Sequence, residues 1–366
     1  MLKAEKISPF QIALIMHPVI LATGFLALPT ITAQYAKNDL WMTSIIAFIP
    51  GMVAILLALA LHKLYPKMTI SQYSEQIVGI WPAKLISFIY FLYFMSSTGM
   101  ILRQYAEFVS GNFLFNTPLA VIIGTILLLS AFAIRGGVEV IARCAVICTY
   151  LFILPLFFLV FLAPDLDFRN IYPILSHGAV PILKGSLTPQ GWLSEFFIIS
   201  YFLPSASQPD KVKKWSIISL IVVVISMTYV NLITLFLLGP DLPKKVYPIL
   251  IAMRYISLAD FFENLESVLL AMWVLGNFVK ISVFFYAGVI SYTQMCKSSD
   301  FRPTVFPLAI LVFLFCYWDI PNFPTLANHN KLVAPFELFV VFLAIPFVLM
   351  SIAFLRKGRR RGLPNE

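Results

Sequence analysis

Long apolar runs, each closed by charged residues or by Pro and Gly, alternate along the chain with short polar breaks. They predict ten segments, near 9–35, 41–62, 82–110, 117–135, 139–163, 188–207, 214–238, 262–293, 303–320 and 333–355. A helix needs about 20 apolar residues to cross a bilayer core. No run has the strict alternation of a barrel strand, so the pattern predicts helices, which satisfy every backbone polar group within lipid. The first run is not a cleaved signal peptide. It carries Pro18, Thr23, Gly24 and Pro29, lacks a small-x-small cleavage site and outruns an apolar h-region. The expectation is an all-α integral membrane protein, one transmembrane domain over residues 1–366 with halves at about 9–163 and 188–355.

Composition agrees. Of 366 residues, 60% are apolar, 15% aromatic and only 12% charged, with a mean hydropathy of +0.90. Soluble domains carry about twice that charge fraction. The net charge of +9 raises nucleic acid as a partner, but the positions of the charges exclude it. Counted by loop, 17 of the 26 Lys and Arg residues fall on the side of the N-terminus and seven on the other, with Arg103 and Lys280 inside spans. The positive-inside rule then places both termini in the cytoplasm. The closing basic run, Arg356 to Arg361, reads as a stop-transfer flank that attracts anionic lipid. Two outer loops, 164–187 and 239–261, each contain Tyr-Pro-Ile-Leu and read as interfacial segments or a lid. Residues 69–79 predict a short cytoplasmic helix opened by a Thr69-x-x-Gln72 capping box.

Two spans have polar or small residues at their centres: Ala22-Thr23-Gly24 ahead of Pro29 in the first, and Ser200 ahead of Pro204 in the sixth. Paired discontinuities at corresponding positions of two five-helix halves point to a transporter-type site. Close helix packing is the competing explanation for each Gly. Ionisable groups inside spans cost about 2.5–3.5 kcal/mol each on insertion scales, so each needs a partner or a water-filled cavity. Arg103 and Glu107 are i,i+4 neighbours near the outer end of span three and read as a structural or gate pair. Glu195 in span six and Lys280 deep in span eight either face one another or face the two ends of a zwitterion. Lys280 also has the chemistry to stand in for a coupling cation. Ser96 to Gly99, Asn277 and Ser282 fit the same cavity, whereas Glu263, Glu266 and Glu337 read as helix-end or interfacial groups.

Nothing in the chain reads as an enzyme. Cys144 and Cys148 share a helix face without a His at metal-ligand spacing, Cys296 and Cys316 are isolated, and the four histidines are scattered. There is no Walker loop, dinucleotide fingerprint or nucleophile elbow, and no metal or cofactor is implied.

A set of short motifs runs in order along the chain: Lys6-Ile7-Ser8-Pro9-Phe10-Gln11, Thr23-Gly24-Phe25-Leu26-Ala27-Leu28-Pro29, and Asn170-Ile171-Tyr172-Pro173 followed by Gly178, Pro181 and Gly185. Phe202-Leu203-Pro204 and Glu263-Asn264-Leu265-Glu266-Ser267 with Trp273 complete it. In these the sequence resembles the Ger-type spore germination permeases, the B subunits of nutrient germinant receptors. The resemblance implies the amino acid–polyamine–organocation superfamily, ten transmembrane helices and a LeuT-like 5+5 inverted repeat with helices 1 and 6 interrupted. It implies the inner membrane of a bacterial spore, a membrane-embedded A subunit and a C-subunit lipoprotein as partners, and a small nutrient (an amino acid or a sugar) as ligand. Matching positions put the ligand among Ala22, Thr23, Gly24, Ser97, Glu195, Ile199, Val279 and Lys280. The two charges there favour a polar or charged ligand. The alternative is a proton-coupled secondary transporter of amino acids or amines.

Overall fold

In so apolar a chain the helix ends are set by local signals. The computed structural model describes residues 5–258, 262–263, 265–319 and 322–361. Helix α1 (Pro9–Ala36) opens on Ser8, whose Oγ accepts from the Gln11 N–H while the Ser8 N–H donates to Gln11 Oε1, with Pro9 at the first helical position. Then come α2 (Leu40–Ile46), α3 (Phe48–Leu64) and α4 (Ile70–Val78), the last with the expected Thr69–Gln72 box. The chain continues through α5 (Ile80–Asn112), α6 (Leu119–Arg135), α7 (Val138–Phe158), α8 (Ala179–Ser194), α9 (Pro209–Leu238) and α10 (Pro248–Tyr255). A two-residue antiparallel pair, β1 (Ser257–Leu258) with β2 (Phe262–Glu263), precedes α11 (Glu266–Met295). Four helices end the chain: α12 (Val305–Trp318), α13 (Phe323–Leu332), α14 (Ala334–Phe339) and α15 (Ile345–Arg361). Asn264 lies outside the described residues, as do the side chains of Glu263 and of the basic run beyond Arg356.

Every expected segment meets helical structure. By length and hydropathy, six stretches among the described residues suffice to cross a membrane: Pro9–Leu64, Ile80–Asn112, Val138–Asp165, Pro209–Lys244, Glu266–Met295 and Ala334–Arg356. The first joins two expected spans. Its 28-residue α1 is already about 42 Å long, and α2 with α3 forms the next leg. Three others fall short because α6 has 17 residues, α12 has 14, and α8 gives way to a 3-10 segment, Glu195–Tyr201.

Two expectations are corrected. Helix α1 runs unbroken through Thr23 and Gly24, so of the two expected interruptions the described residues show the one in the sixth span. Gly24 lies beside the Trp192 ring, where a Cβ would sit at an ordinary contact distance of 3.4 Å. Helix α8 begins at Ala179, inside the expected 164–187 loop. The repeated Tyr-Pro-Ile-Leu has no common structure. The first copy is tied down by Asn38, whose Nδ2 donates to the Ile171 and Pro173 carbonyls, and by Asp39, whose carboxylate accepts the Leu175 N–H. In the second copy Pro248 starts α10.

One face of the protein gathers the N-terminal segment, which bridges Ile7 to Ala206 and places Glu5 on the Val138 N–H at 2.7 Å and on Arg302 at 3.4 Å. Glu75 pairs with Lys297 on that face, and α15 runs back to pack on α4. The opposite face gathers residues 37–39, 164–178, 239–247 and α13. Between them, α1, α5, α8, α9 and α11 pack around the centre.

Candidate ligand-binding site

The sixth span changes character at Glu195. Residues 195–201 are all buried, and their run of aromatic and β-branched side chains loses rotamer freedom in an α-helix. Seven residues of 3-10 helix is long for this conformation, which when it interrupts a helix often marks a hinge. At the start of this segment the Glu195 carboxylate points toward α11. There the Lys280 Nζ donates to Glu195 Oε1 at 3.1 Å and Oε2 at 3.0 Å, and to Thr23 Oγ1 of α1 at 2.9 Å. Three ammonium protons thus meet three oxygens drawn from two other segments. Both charged side chains are 2–3% exposed, and the Phe284 ring, one turn along α11, lies 5.2 Å from the ammonium. Of the two arrangements open from the sequence, the protein adopts the direct pair.

The pair borders a cavity of about 50 Å³. That is room for a water or two, against the roughly 300–1,000 Å³ of ordinary small-molecule pockets. Toward the terminal face an aromatic layer closes it: Phe94 packs against Tyr201, Phe284 and Phe342 at ring distances of 5.4, 5.7 and 6.0 Å. Toward the opposite face it is narrowed by Gln104, which donates to the Thr23 carbonyl at 3.4 Å and accepts from Asn330 Nδ2 at 3.3 Å. His329 and Glu337, 3.5 Å apart, complete that side. On that side the wall reaches the surface at Glu337, whose side chain is 41% exposed.

Of the expected residues, the fold brings Thr23, Ser97, Glu195 and Lys280 onto the cavity wall. Ala22, Gly24, Ile199 and Val279 are buried behind it. Ala22 faces Gly276 of α11, where a Cβ would lie 3.2 Å from the Ala22 methyl and collide with the Phe152 ring, so these two small residues set the α1–α11 approach. Ser96 binds Asp319, Asn277 donates to the Trp273 carbonyl, and neither Asn277 nor Ser282 reaches the wall. Glu337, expected at the interface, is a wall residue. Arg103 and Glu107 form an ion pair of 2.7 Å, with the guanidinium 5.6 Å from the Tyr317 ring, adjacent to the cavity but off its wall.

The sequence reading missed Tyr93, Gln104, Trp192, Phe284, His329 and Asn330 on the wall. Helical spacing carried a signal for some of them. From Ser97, steps of three and four along α5 reach Tyr93, Met100, Ile101 and Gln104, and one turn beyond Lys280 lies Phe284. His329 and Asn330 sit on the short α13, which no periodicity ties to the site.

Comparison with known proteins adds the wider setting. The spore permease family model, described as spore germination protein, matches residues 6–324. Spore germination protein KB of Bacillus subtilis (strain 168) is 23% identical over 338 residues, covering 90% of this chain and 91% of its own. Spore germination protein YndE of the same organism is 27% identical and covers 98% of each chain. Among solved structures, Mhp1, a nucleobase-cation-symport-1 family transporter in a closed conformation with bromovinylhydantoin bound, superposes with a TM-score of 0.72. It is 13% identical and covers 98% of this chain and 80% of its own. MhsT in complex with L-phenylalanine gives a TM-score of 0.65 at 11% identity, covering 96% and 99%. The fold is that of LeuT-like transporters.

Proposed function

Since the chain belongs to the spore germination protein family, we propose that it is the transporter-like subunit of a nutrient germinant receptor. Its ligand is a small polar nutrient of the amino acid or sugar class. The observation that carries this reading is the Lys280 ammonium, held by Glu195 and Thr23 across three segments at the edge of a narrow cavity. A ligand enters by exchange: its own polar groups replace part of the Glu195–Lys280–Thr23 contact. The cavity must widen to admit it, so the ligand favours the widened conformation by its difference in affinity for the two. In the receptor reading that shift passes to an A subunit in the membrane and a C-subunit lipoprotein, in the inner membrane of the spore with both termini cytoplasmic. Thr23, Ser97, Glu195 and Lys280 touch the ligand, joined by Tyr93 and Gln104.

The test is the germination dose response of spores carrying single substitutions at normal protein levels. Lys280→Ala and Glu195→Ala shift the half-maximal nutrient concentration by about tenfold or more, the effect of roughly 1.4 kcal/mol of lost differential binding. Arg103→Ala shifts it less. Wild-type responses in both pocket variants discard the assignment. The transporter alternative draws support from the Mhp1 likeness. Saturable, pH-gradient-driven uptake by this chain alone in proteoliposomes would establish it in place of a receptor.

A further inference from the structure

A second cavity lies between the cavity beside Lys280 and the face opposite the termini, and it is far larger. It measures about 320 Å³, within the range of a small-molecule site, and shares Gln104 and Asn330 with the inner cavity. Their mutual hydrogen bond of 3.3 Å is therefore a partition between an outer chamber and the inner one. The chamber is built from distant segments drawn together. Thr30 Oγ1 donates to the Lys245 carbonyl at 2.6 Å, Gln34 Nε2 donates to the Pro243 carbonyl at 3.3 Å, and Lys331 Nζ donates to Gln34 Oε1 at 2.7 Å. Lys331 also lies 4.9 Å from the Tyr35 ring. Among the described residues its wall holds Lys244, Lys245 and Lys331 and no carboxylate. Lys244 is paired with Asp241, while the Lys331 ammonium meets only neutral groups in its described contacts.

We propose that this chamber is a separate binding station for small carboxylates, in which the anionic end of a solute rests on Lys245 and Lys331 before the Gln104–Asn330 partition opens. A concave wall of one charge sign raises the local concentration of the opposite sign. The sizes of the two cavities point the same way: the inner one is too small for a solute of amino acid size, and the outer one is not. The inference concerns this chamber alone and does not need the germinant reading.

The test uses the full chain in proteoliposomes, with the exposed Cys296 replaced by Ser and Asn328, on the chamber wall, replaced by Cys. The introduced thiol is modified with an anionic sulfonatoethyl methanethiosulfonate and with its cationic trimethylammonium counterpart, each rate normalised to a free thiol in solution. The anionic reagent reacts about tenfold faster, a preference that falls with added salt. Glutarate slows the modification and cadaverine, of matching length, does not. Lys245→Gln with Lys331→Gln abolishes both the preference and the protection. Lys280→Met combined with Glu195→Leu, which strands no buried charge, leaves them intact, because the station lies outside the partition. Equal normalised rates, protection by cadaverine as strong as by glutarate, or a preference that survives loss of both lysines would overturn the proposal. Loss of protection when Lys280→Met is combined with Glu195→Leu would also overturn it, by making the two cavities one site. A normal outer chamber in a protein whose Lys280 and Glu195 variants germinate normally would remove the inner-pocket reading and leave this one standing.

Discussion

At the scale of single residues, the Lys280 ammonium has no proton to spare: its three donors already meet Glu195 Oε1, Glu195 Oε2 and Thr23 Oγ1. Burying two charges is repaid only when such contacts are complete, and removing one partner of a buried pair costs about 3–5 kcal/mol because the other is left uncompensated. Lys280→Met is therefore expected to lower the unfolding temperature of the detergent-purified protein markedly. Lys280→Met with Glu195→Leu recovers most of the loss, since apolar replacement of both members is close to neutral. A double variant as unstable as the sum of the singles would show that the residues do not act as a pair. The charges themselves were legible as ionisable groups inside apolar runs. Their pairing was not, because Glu195 and Lys280 are 85 positions apart and only the packing of the 3-10 segment on α11 brings them together. Ala22 and Gly24 read as pocket residues for the same chemical reason that makes them good packing residues. A missing side chain permits unwinding, ligand approach or helix approach equally; α1 is not unwound, and the Ala22 methyl faces Gly276 at the α1–α11 contact.

At the scale of elements, the site rests on close approaches and one change of helix type. Gly276 of α11 faces Phe152 and Ala22 with no room for a Cβ, whereas Gly111 near the end of α5 has nothing within 4 Å of that position. Gly276→Leu is expected to cost about 1–3 kcal/mol or more through overpacking, and Gly111→Leu close to nothing, as read from paired thermal unfolding curves. Similar losses at both positions would contradict the α1–α11 contact described above. The apolar runs gave the elements well, because a membrane span must be long and continuous. They misplaced the start of α8 because Gly178, Pro181 and Gly185 look like loop signals, yet Gly178 stands just outside the helix and Gly185 fits against Ala36 and Thr32. The cavity wall on α5 was half legible: Ser97 was read, and its helical neighbours Tyr93 and Gln104 follow from the same face. α13 was not, since a ten-residue helix of mixed polarity carries no strong period.

At the scale of the whole molecule, the described fold separates two faces, and the loop charges give each a direction. The exposed Cys296 lies at the end of α11, next to Lys297 and on the face of the N-terminal segment. A membrane-impermeant maleimide is expected to label it in inside-out vesicles and to leave it unlabelled in right-side-out ones. The reverse pattern would invert the orientation assigned from the excess of basic residues. The same arrangement bears on how the protein is made. Thr23 reaches its ammonium partner across 257 positions, and Ile7 finds its bridging segment at Ala206 only after five earlier spans have been synthesised. During synthesis Glu195 emerges well before Lys280, so the sixth span must be held by the insertion machinery, or enter lipid, with its carboxylate unpartnered. A single substitution at Lys280 makes that transient condition permanent. Its first visible effect is then a fall in the amount of protein that survives biogenesis, ahead of any change in what the finished protein senses.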